Sequence, residues 1–530
     1  MRRLYLPLSR RTFVKLGAAS TAAALLPGLS GCGSVSTEEV ENLIIGSGFG
    51  GSIAAYRLGL AGRSSVILER GRRWTVETPG EQVFSDMGVG ESDNRSAWLA
   101  DQQPLPGIPP STRPFRPYTG VLEKIYGDGI NIVCASCVGG GSVVYSGMMV
   151  QPPRDLFEEV FPTGVSYDAM NDTFYPMVAN IMTPRATPLP DDLLEMPLWT
   201  ATRTFLEQGE RAGYDVQRIL CAFDWDMARA EARGDIPPQL IRGSYIFGLN
   251  SGAKATLDKS YLGMAEMSGM AEVRELHWVQ RIAHENDRYR VEVDLIDTAG
   301  LVLEQKVFLA DNLFVCAGSA NTTGLLLRAK AEGGLPDLPA SLGGGWGNNG
   351  QHILARRRVG VDTGAFQAGP ACAMIFDYEN RIAMENGPAP LGFEQQVLIG
   401  TGQGIPNERG RITWSSGEGR VSAEWDANND RDAAAAANGI LDRLNTENGM
   451  GERYTIPGLD ESITFHPLGG CVMGETTDLH GRVNGYPGLY VLDGALIPGC
   501  TPCSNPFWTI AANAERCLAT LVAEDFGGGT

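Results

Sequence analysis

The stretch that most constrains the fold is LIIGSGFGGSIAAYRLGLAGRSSVILERG, residues 43–71. A short apolar strand runs into Gly46-x-Gly48-x-x-Gly51, an Ala/Leu-rich helix follows, and a second strand ends at Glu69. The glycines let the backbone turn tightly and leave room for a pyrophosphate on the helix N-terminus, where free N–H groups favour an anion. Glu69 lies near the ~20-residue offset at which a carboxylate accepts from a ribose hydroxyl. The pattern predicts the opening βαβ unit of a doubly wound α/β domain that holds a dinucleotide.

The other end of the chain carries a matching set of signals. FHPLGGCVMG (465–474) is followed by YVLDGALIPG (490–499) and SNPFWTIAANAER (504–516). Tyr490 to Gly494 reads as a strand ending in Asp493, placed to bond a ribityl chain or a phosphate. In the middle, Gly139-Gly140-Gly141-Ser142 lies between two apolar runs, and a loop without Cβ atoms lets backbone approach a flat ring. Residues 287–316 alternate apolar and polar, as a hairpin followed by a buried strand would. That strand ends at Ala317-Gly318-Ser319 and enters a helix. A cofactor gripped from both chain ends points to FAD rather than a diffusible nicotinamide.

The first residues read as processing signal, not fold. Ser9-Arg10-Arg11-Thr12-Phe13-Val14-Lys15 resembles a twin-arginine export signal, and the apolar run to Leu29 is too short to span a membrane. Leu29-Ser30-Gly31-Cys32 matches a lipoprotein cleavage box, with Cys32 the expected lipid-bearing residue. Residues 1–31 are therefore expected to be removed, leaving a periplasmic, cell-surface or secreted protein with a possible lipid tether. The formal charge of −19 becomes about −24 once the leader's arginines and lysine are gone, which argues against nucleic acid or anionic lipid surfaces as partners. Ten cysteines include Cys134-x-x-Cys137 and Cys500-x-x-Cys503, each able to form a local disulfide in an oxidising compartment. Zinc binding by these thiols is a weaker reading, and no metal is expected.

The assembled motifs resemble the glucose–methanol–choline (GMC) oxidoreductases, and more narrowly the class I cholesterol oxidases that hold FAD non-covalently. The resemblance runs over nearly all of residues 41–525 and rests on GSGFGGS, DNRSAWL (93–99), YTGVLEKI (118–125), VGGGSVVYSGM (138–148), LDKSYL (257–262), AGSANTTGLLLRA (317–329), GWGNNG (345–350), HPLGG and NPFWTIAANAER. It implies an α/β, Rossmann-like FAD-binding fold with a discontinuous substrate domain built on a mixed sheet with helices. The expected FAD domain is 41–75, 249–340 and 480–525; the substrate domain takes 76–248 and 341–479, with 76–116 as a lid. The implied cofactor contacts are Gly46, Gly48, Gly51, Glu69, Gly139, Gly140, Gly141, Ser142, Asp493, Gly494, Asn505 and Phe507.

The chemistry of such a site needs an acceptor for the hydroxyl proton while a hydride passes to the flavin. Histidine suits that role, with an unperturbed pKa of about 6.5. His466 precedes Pro and a Gly-Gly pair, and Asn505 precedes Pro506 at an apparent helix start, with an amide that both donates and accepts. The resemblance implies that both position the substrate hydroxyl, with His466 handling its proton. It also gives Glu385, in an exposed-looking Gly/Pro loop, the task of moving a steroid proton between ring carbons. The expected reaction is oxidation of a 3β-hydroxysteroid to the ketone, then Δ5 to Δ4 isomerisation, with oxygen reduced to H2O2. Tyr145 replaces the asparagine of the steroid oxidases. Two rivals stand beside this: a GMC dehydrogenase of another alcohol feeding a quinone or protein acceptor, and a flavin-dependent thiol–disulfide protein working through a Cys-x-x-Cys pair.

Overall fold

The computed structural model describes residues 36–88, 92–105, 113–389, 396–456 and 462–527. The proposed leader and Cys32 lie outside the described residues, as do parts of the 76–116 stretch.

The central layer is a seven-stranded sheet. Strand Ser36–Ile45 pairs in parallel with Ser65–Leu68 on one side and with Val302–Val315 on the other. Ala271–Arg274 extends the parallel edge beyond Ser65–Leu68. The long strand Val302–Val315 changes partner along its length. Its first part pairs antiparallel with Arg288–Ile296 of the anticipated hairpin, and Leu313 to Val315 pair in parallel with Leu489–Val491. Parallel strands covered on both faces should be apolar at every position; Leu43, Ile44 and Leu313 to Val315 are all buried. Both strands therefore deliver their C-terminal ends, Ile45 and Val315, to one edge of the layer.

The helix Phe49–Leu60 leaves that edge and buries Gly50 to Ala55 and Leu58, because its Gly, Ala and Ser side chains let neighbouring backbone come close. It packs on the C-terminal helix Pro506–Glu524, and Arg57 bonds the buried Glu515, which also accepts from Tyr261 Oη at 2.6 Å. Removing one member of such a buried ionic cluster costs roughly 3–5 kcal/mol. The helix Ser319–Ala331 starts at the same edge, four residues after the end of its strand.

A second, six-stranded sheet has the order Glu452–Tyr454, His352–Arg357, Val397–Gln403, Ile382–Gly387, Ala373–Asp377, Asp215–Arg218, with every pairing antiparallel. The helices Thr200–Arg211 and Arg431–Glu447 pack on it, with Phe205, Ile440, Leu441 and Leu444 filling the interface. A small three-stranded sheet joins Ile463–Thr464 to Asn131–Ala135 and Leu122–Ile125, which fixes the chain just before His466.

Glu385 departs from its sequence reading. It sits on the central strand Ile382–Gly387, only 7% exposed, opposite Thr401 on the next strand. The Gly/Pro composition that suggested an exposed loop belongs to the residues that follow.

Candidate active site

A cavity of about 460 Å³ runs between the two sheets, from Gly46, Gly48 and Glu69 at one end to His466, Asn505 and Glu385 at the other. Met87 and Leu105 of the anticipated lid segment line it, with Tyr245, Ile353, Ile399 and Phe465.

At the first end the glycines divide into two kinds. A Cβ on Gly51 would meet Gly46 O at 2.0 Å, one on Gly46 (φ +93°) would meet Cys316 O at 2.4 Å, and one on Gly50 would meet Leu492 O at 2.6 Å. These residues are glycine so that strand, helix and the C-terminal segment can touch. Gly48 differs: a Cβ there meets nothing within 4 Å, and the same holds for Gly318 (φ +87°), yet both line the cavity. The Gly48 space is left for an occupant rather than for the protein, and it lies at a helix N-terminus suited to a pyrophosphate. Gly140 closes the cradle, its Cβ position 2.8 Å from Gly48 Cα. The residues present therefore fit a dinucleotide, with Gly48, Gly140, Gly141 and Gly318 as the wall against it.

The acids at this end brace the cradle. Glu69 Oε2 accepts from Ser47 N and Oγ at 3.1 and 2.8 Å, and Oε1 accepts from Gly71 N at 2.9 Å. Ser47 Oγ in turn accepts from Gly139 N at 3.1 Å, tying the two glycine loops together. Asp493 Oδ2 accepts from Gly318 N and Thr322 Oγ1 at 2.7 and 2.6 Å, and Oδ1 from Ala495 N at 2.8 Å. Both carboxylates line the cavity, so a ribose or ribityl hydroxyl would share oxygens already in use. Burial pushes the Asp493 pKa up against the bonds from Thr322 and the backbone. Gly494 and Phe507 line the cavity, whereas Gly51, Gly139 and Ser142 do not. Ser142 Oγ donates to Gly139 O at 2.7 Å and accepts from Leu257 N at 3.0 Å, holding the loop's shape.

At the other end three distant segments converge. Asn505 occupies the N-cap position of the C-terminal helix, but its side chain makes no cap bond. Its Nδ2 instead donates to Glu385 Oε2 at 2.9 Å, leaving Oδ1 buried and unpartnered. Burial lifts Glu385 to a pKa of about 7, with the bond from Asn505 and the nearby Gln403 amide opposing that rise. His466 N donates to Thr464 Oγ1 at 3.0 Å, and Phe465 N to Gln351 Oε1 at 2.7 Å, which fix the approach of the imidazole. The His466 ring opens onto the cavity, and desolvation drives its pKa down to about 3.

Asn349 decides how the ring is protonated. Its Oδ1 accepts from Thr501 N at 2.7 Å and its Nδ2 donates to Ser504 O at 2.9 Å, so the amide cannot be turned over without losing both bonds. Nδ2 then faces His466 Nδ1 at 3.5 Å. A donor at that nitrogen favours the tautomer with the proton on Nε2. His466 thus stands neutral, with Nε2 a donor. The reading that it takes the hydroxyl proton does not fit this arrangement. Burial raises Glu385 and lowers His466, so a proton released into the cavity goes to Glu385 in preference to His466.

Asn349 and Gln403 were not singled out from sequence. The Asn-Asn doublet inside GWGNNG, with Asn349 in a left-handed conformation (φ 62°), was the available signal for the first. Gln403 had none. Tyr145 lines the cavity, donates to Ala255 O at 2.6 Å and packs edge-on against Phe507.

All nine described cysteines are free, so neither Cys-x-x-Cys pair is the disulfide anticipated for it. Cys500 Sγ donates to Gly404 O instead. Burial pushes the Cys134 and Cys500 thiols up to about 12 and raises Cys137 and Cys503 as well, leaving no reactive thiolate at neutral pH. That removes the chemical basis of the thiol–disulfide rival. Among the described residues no group of three or more His, Cys, Asp or Glu could hold a metal ion.

The family described as GMC oxidoreductase matches residues 406–514. A cholesterol oxidase of Acinetobacter baumannii is 23% identical over 565 residues, covering 92% of this chain and 96% of that protein. One of Mycobacterium tuberculosis is 26% identical, covering 90% of each. Among solved structures, pyridoxine 4-oxidase from Mesorbium loti superposes with a TM-score of 0.61 at 17% identity, over 92% of this chain and 99% of that one. A fungal aryl-alcohol oxidase gives 0.61 at 11% identity, with the same coverage of each. Fold and site define an FAD-dependent oxidoreductase acting on CH–OH donors. The family matched by the chain's C-terminal region is that of the GMC oxidoreductases.

Proposed function

We propose that the protein oxidises a 3β-hydroxysteroid to the ketone and then moves the double bond from Δ5 to Δ4, with oxygen as the acceptor and H2O2 as co-product. The observation that carries this reading is the junction of His466, Asn505 and Glu385 at one end of the dinucleotide cavity, where an unpartnered amide oxygen, an N–H donor and a carboxyl of pKa about 7 share a largely apolar wall. The cholesterol oxidases among its relatives support the choice of a sterol.

Each side chain has a task. His466 Nε2–H donates to the substrate oxygen, and Asn505 Oδ1 accepts from the hydroxyl, so together they fix the carbinol carbon. Glu385 receives the hydroxyl proton once the O–H turns from Asn505 Oδ1 to the neighbouring carboxylate, because it alone of the two titratable groups holds a proton near neutrality. Bound FAD supplies the hydride acceptor. For the isomerisation, Glu385 first gives up the hydroxyl proton, which leaves with the reduced oxygen as H2O2; ionised again, it takes a proton from the carbon between ketone and double bond and returns it at the far end of the alkene. Apolar neighbours such as Ile353, Ile399 and Phe465 receive the rings and exclude water.

The test is to mix the FAD-loaded protein anaerobically with a 3β-hydroxysterol and follow the visible flavin absorbance. Rapid bleaching, followed by return of colour and H2O2 on admitting air, is expected. A flavin that keeps its colour would remove the steroid and send the search to other alcohols. Bleaching without recovery in air would move the acceptor to a quinone or a protein. We also propose export by the twin-arginine route with lipid on Cys32, supported by the leader motifs; Cys32→Ala should release the protein from the membrane fraction.

A further inference from the structure

The strand Val397–Gln403 runs antiparallel to Ile382–Gly387, with Gln403 opposite Ala383 and Thr401 opposite Glu385. Alternate residues of a strand share a face, so Gln403 and Glu385 are diagonal neighbours on one side of the sheet. Gln403 is fully buried, and neither its Nε2 nor its Oε1 has a hydrogen-bond partner of good geometry. A buried amide bare at both ends is rare and needs a reason. It acts on the Glu385 carboxyl beside Asn505.

We propose that Gln403 is the positioning residue for Glu385, the partner that follows its carboxyl through both protonation states. This rests on the proton-carrying role given to Glu385 above. Asn505 Nδ2 can only donate, which serves the ionised form. Once Glu385 has gained a proton, its O–H needs an acceptor, and Gln403 Oε1 supplies one. When the proton leaves, rotation of the terminal amide presents Nε2–H to the carboxylate. Gln403 neither gains nor loses a proton.

The other groups around Glu385 bring no charge. Tyr245, Cys221 and Cys372 are pushed up by burial, and His466 is pushed down and neutral. Burial drives Lys254, next to Tyr245, well below the usual lysine range, and its Nζ donates to Val143 O and Tyr245 O at 2.8 and 2.7 Å. The amides are therefore the groups that set how Glu385 titrates.

The test is a pH-difference infrared titration of the FAD-loaded full chain, which needs no substrate. The Glu385 carboxylic band is assigned by its loss in Glu385→Gln. In Gln403→Met, of equal length but without polar atoms, the midpoint should rise by about one pH unit and the band should move to higher frequency as the acid loses its acceptor. The pH profile of conjugated-enone formation should shift alkaline in step. Gln403→Leu serves if the methionine variant does not load flavin. An unchanged midpoint and band in a flavin-loaded variant would overturn the proposal, as would a wild type with no titrating band that Glu385→Gln removes. If the titration shifts while the wild type oxidises no sterol, the functional reading fails and the pairing of Gln403 with Glu385 stands.

Discussion

The two ends of the cavity are built by opposite means. The glycine end is made from local sequence: strand, turn and helix follow one another within residues 36–60, and Gly46, Gly50 and Gly51 are required by contacts of backbone with backbone. The reactive end is made from three segments more than a hundred residues apart in part, with Asn505 reaching Glu385 across 120 positions and Asn349 reaching His466 across 117. The first end tolerates no added atom where chain meets chain. The second depends on which polar atom faces which, at 2.9 Å for Asn505 and Glu385 and 3.5 Å for Asn349 and His466.

Substitutions can break each end in its own way. The largest effect is expected at Gly51→Ala, whose Cβ would sit 2.0 Å from Gly46 O; this variant should fail to accumulate as a flavin-loaded protein. Gly48→Ala is the contrast, since its Cβ enters open space: it should fold normally and weaken FAD binding by about tenfold or more, near 1.4 kcal/mol, read by flavin titration of the apoprotein. Equal damage from both would mean that Gly48 is also a packing glycine.

At the reactive end Glu385→Gln should slow alcohol oxidation by about 10²–10⁴ and stop isomerisation of a supplied Δ5-3-ketone. The pH profile gives the sign. Only ionised Glu385 accepts a proton, so kcat/KM should rise tenfold per pH unit up to about 7 and level off above it. Were His466 the acceptor, the profile would stay flat down to about 3. His466→Gln keeps an N–H donor and should retain more activity than His466→Ala; equal losses would return the proton to His466. The smallest effect is expected for Cys500→Ser with Cys503→Ser, which should leave turnover within about twofold, because neither thiol ionises near neutrality.

How far the sequence could be read follows from the same contrast. The strand–glycine–helix unit, the hairpin over 287–316 and the strand before Asp493 were visible because periodicity and glycine spacing are short-range properties. Glu385 was identified but misplaced, since the Gly/Pro residues beyond it masked a strand whose burial comes from partners at 373–377 and 397–403. Gln403 was not visible at all: a glutamine at a strand's end carries no local signature, and its importance comes from the acid on the neighbouring strand.

By itself the sequence determined the cofactor class and the residue types at the site, because a pyrophosphate cradle and a strand-to-helix turn are set by neighbours along the chain. Only the tertiary structure decided the protonation of those residues. Burial moved Glu385 to about 7 and His466 to about 3, and the Asn349 amide, locked by Thr501 and Ser504, chose the histidine's tautomer. A pKa is a property of surroundings, and those surroundings exist only once the two sheets close on the cavity.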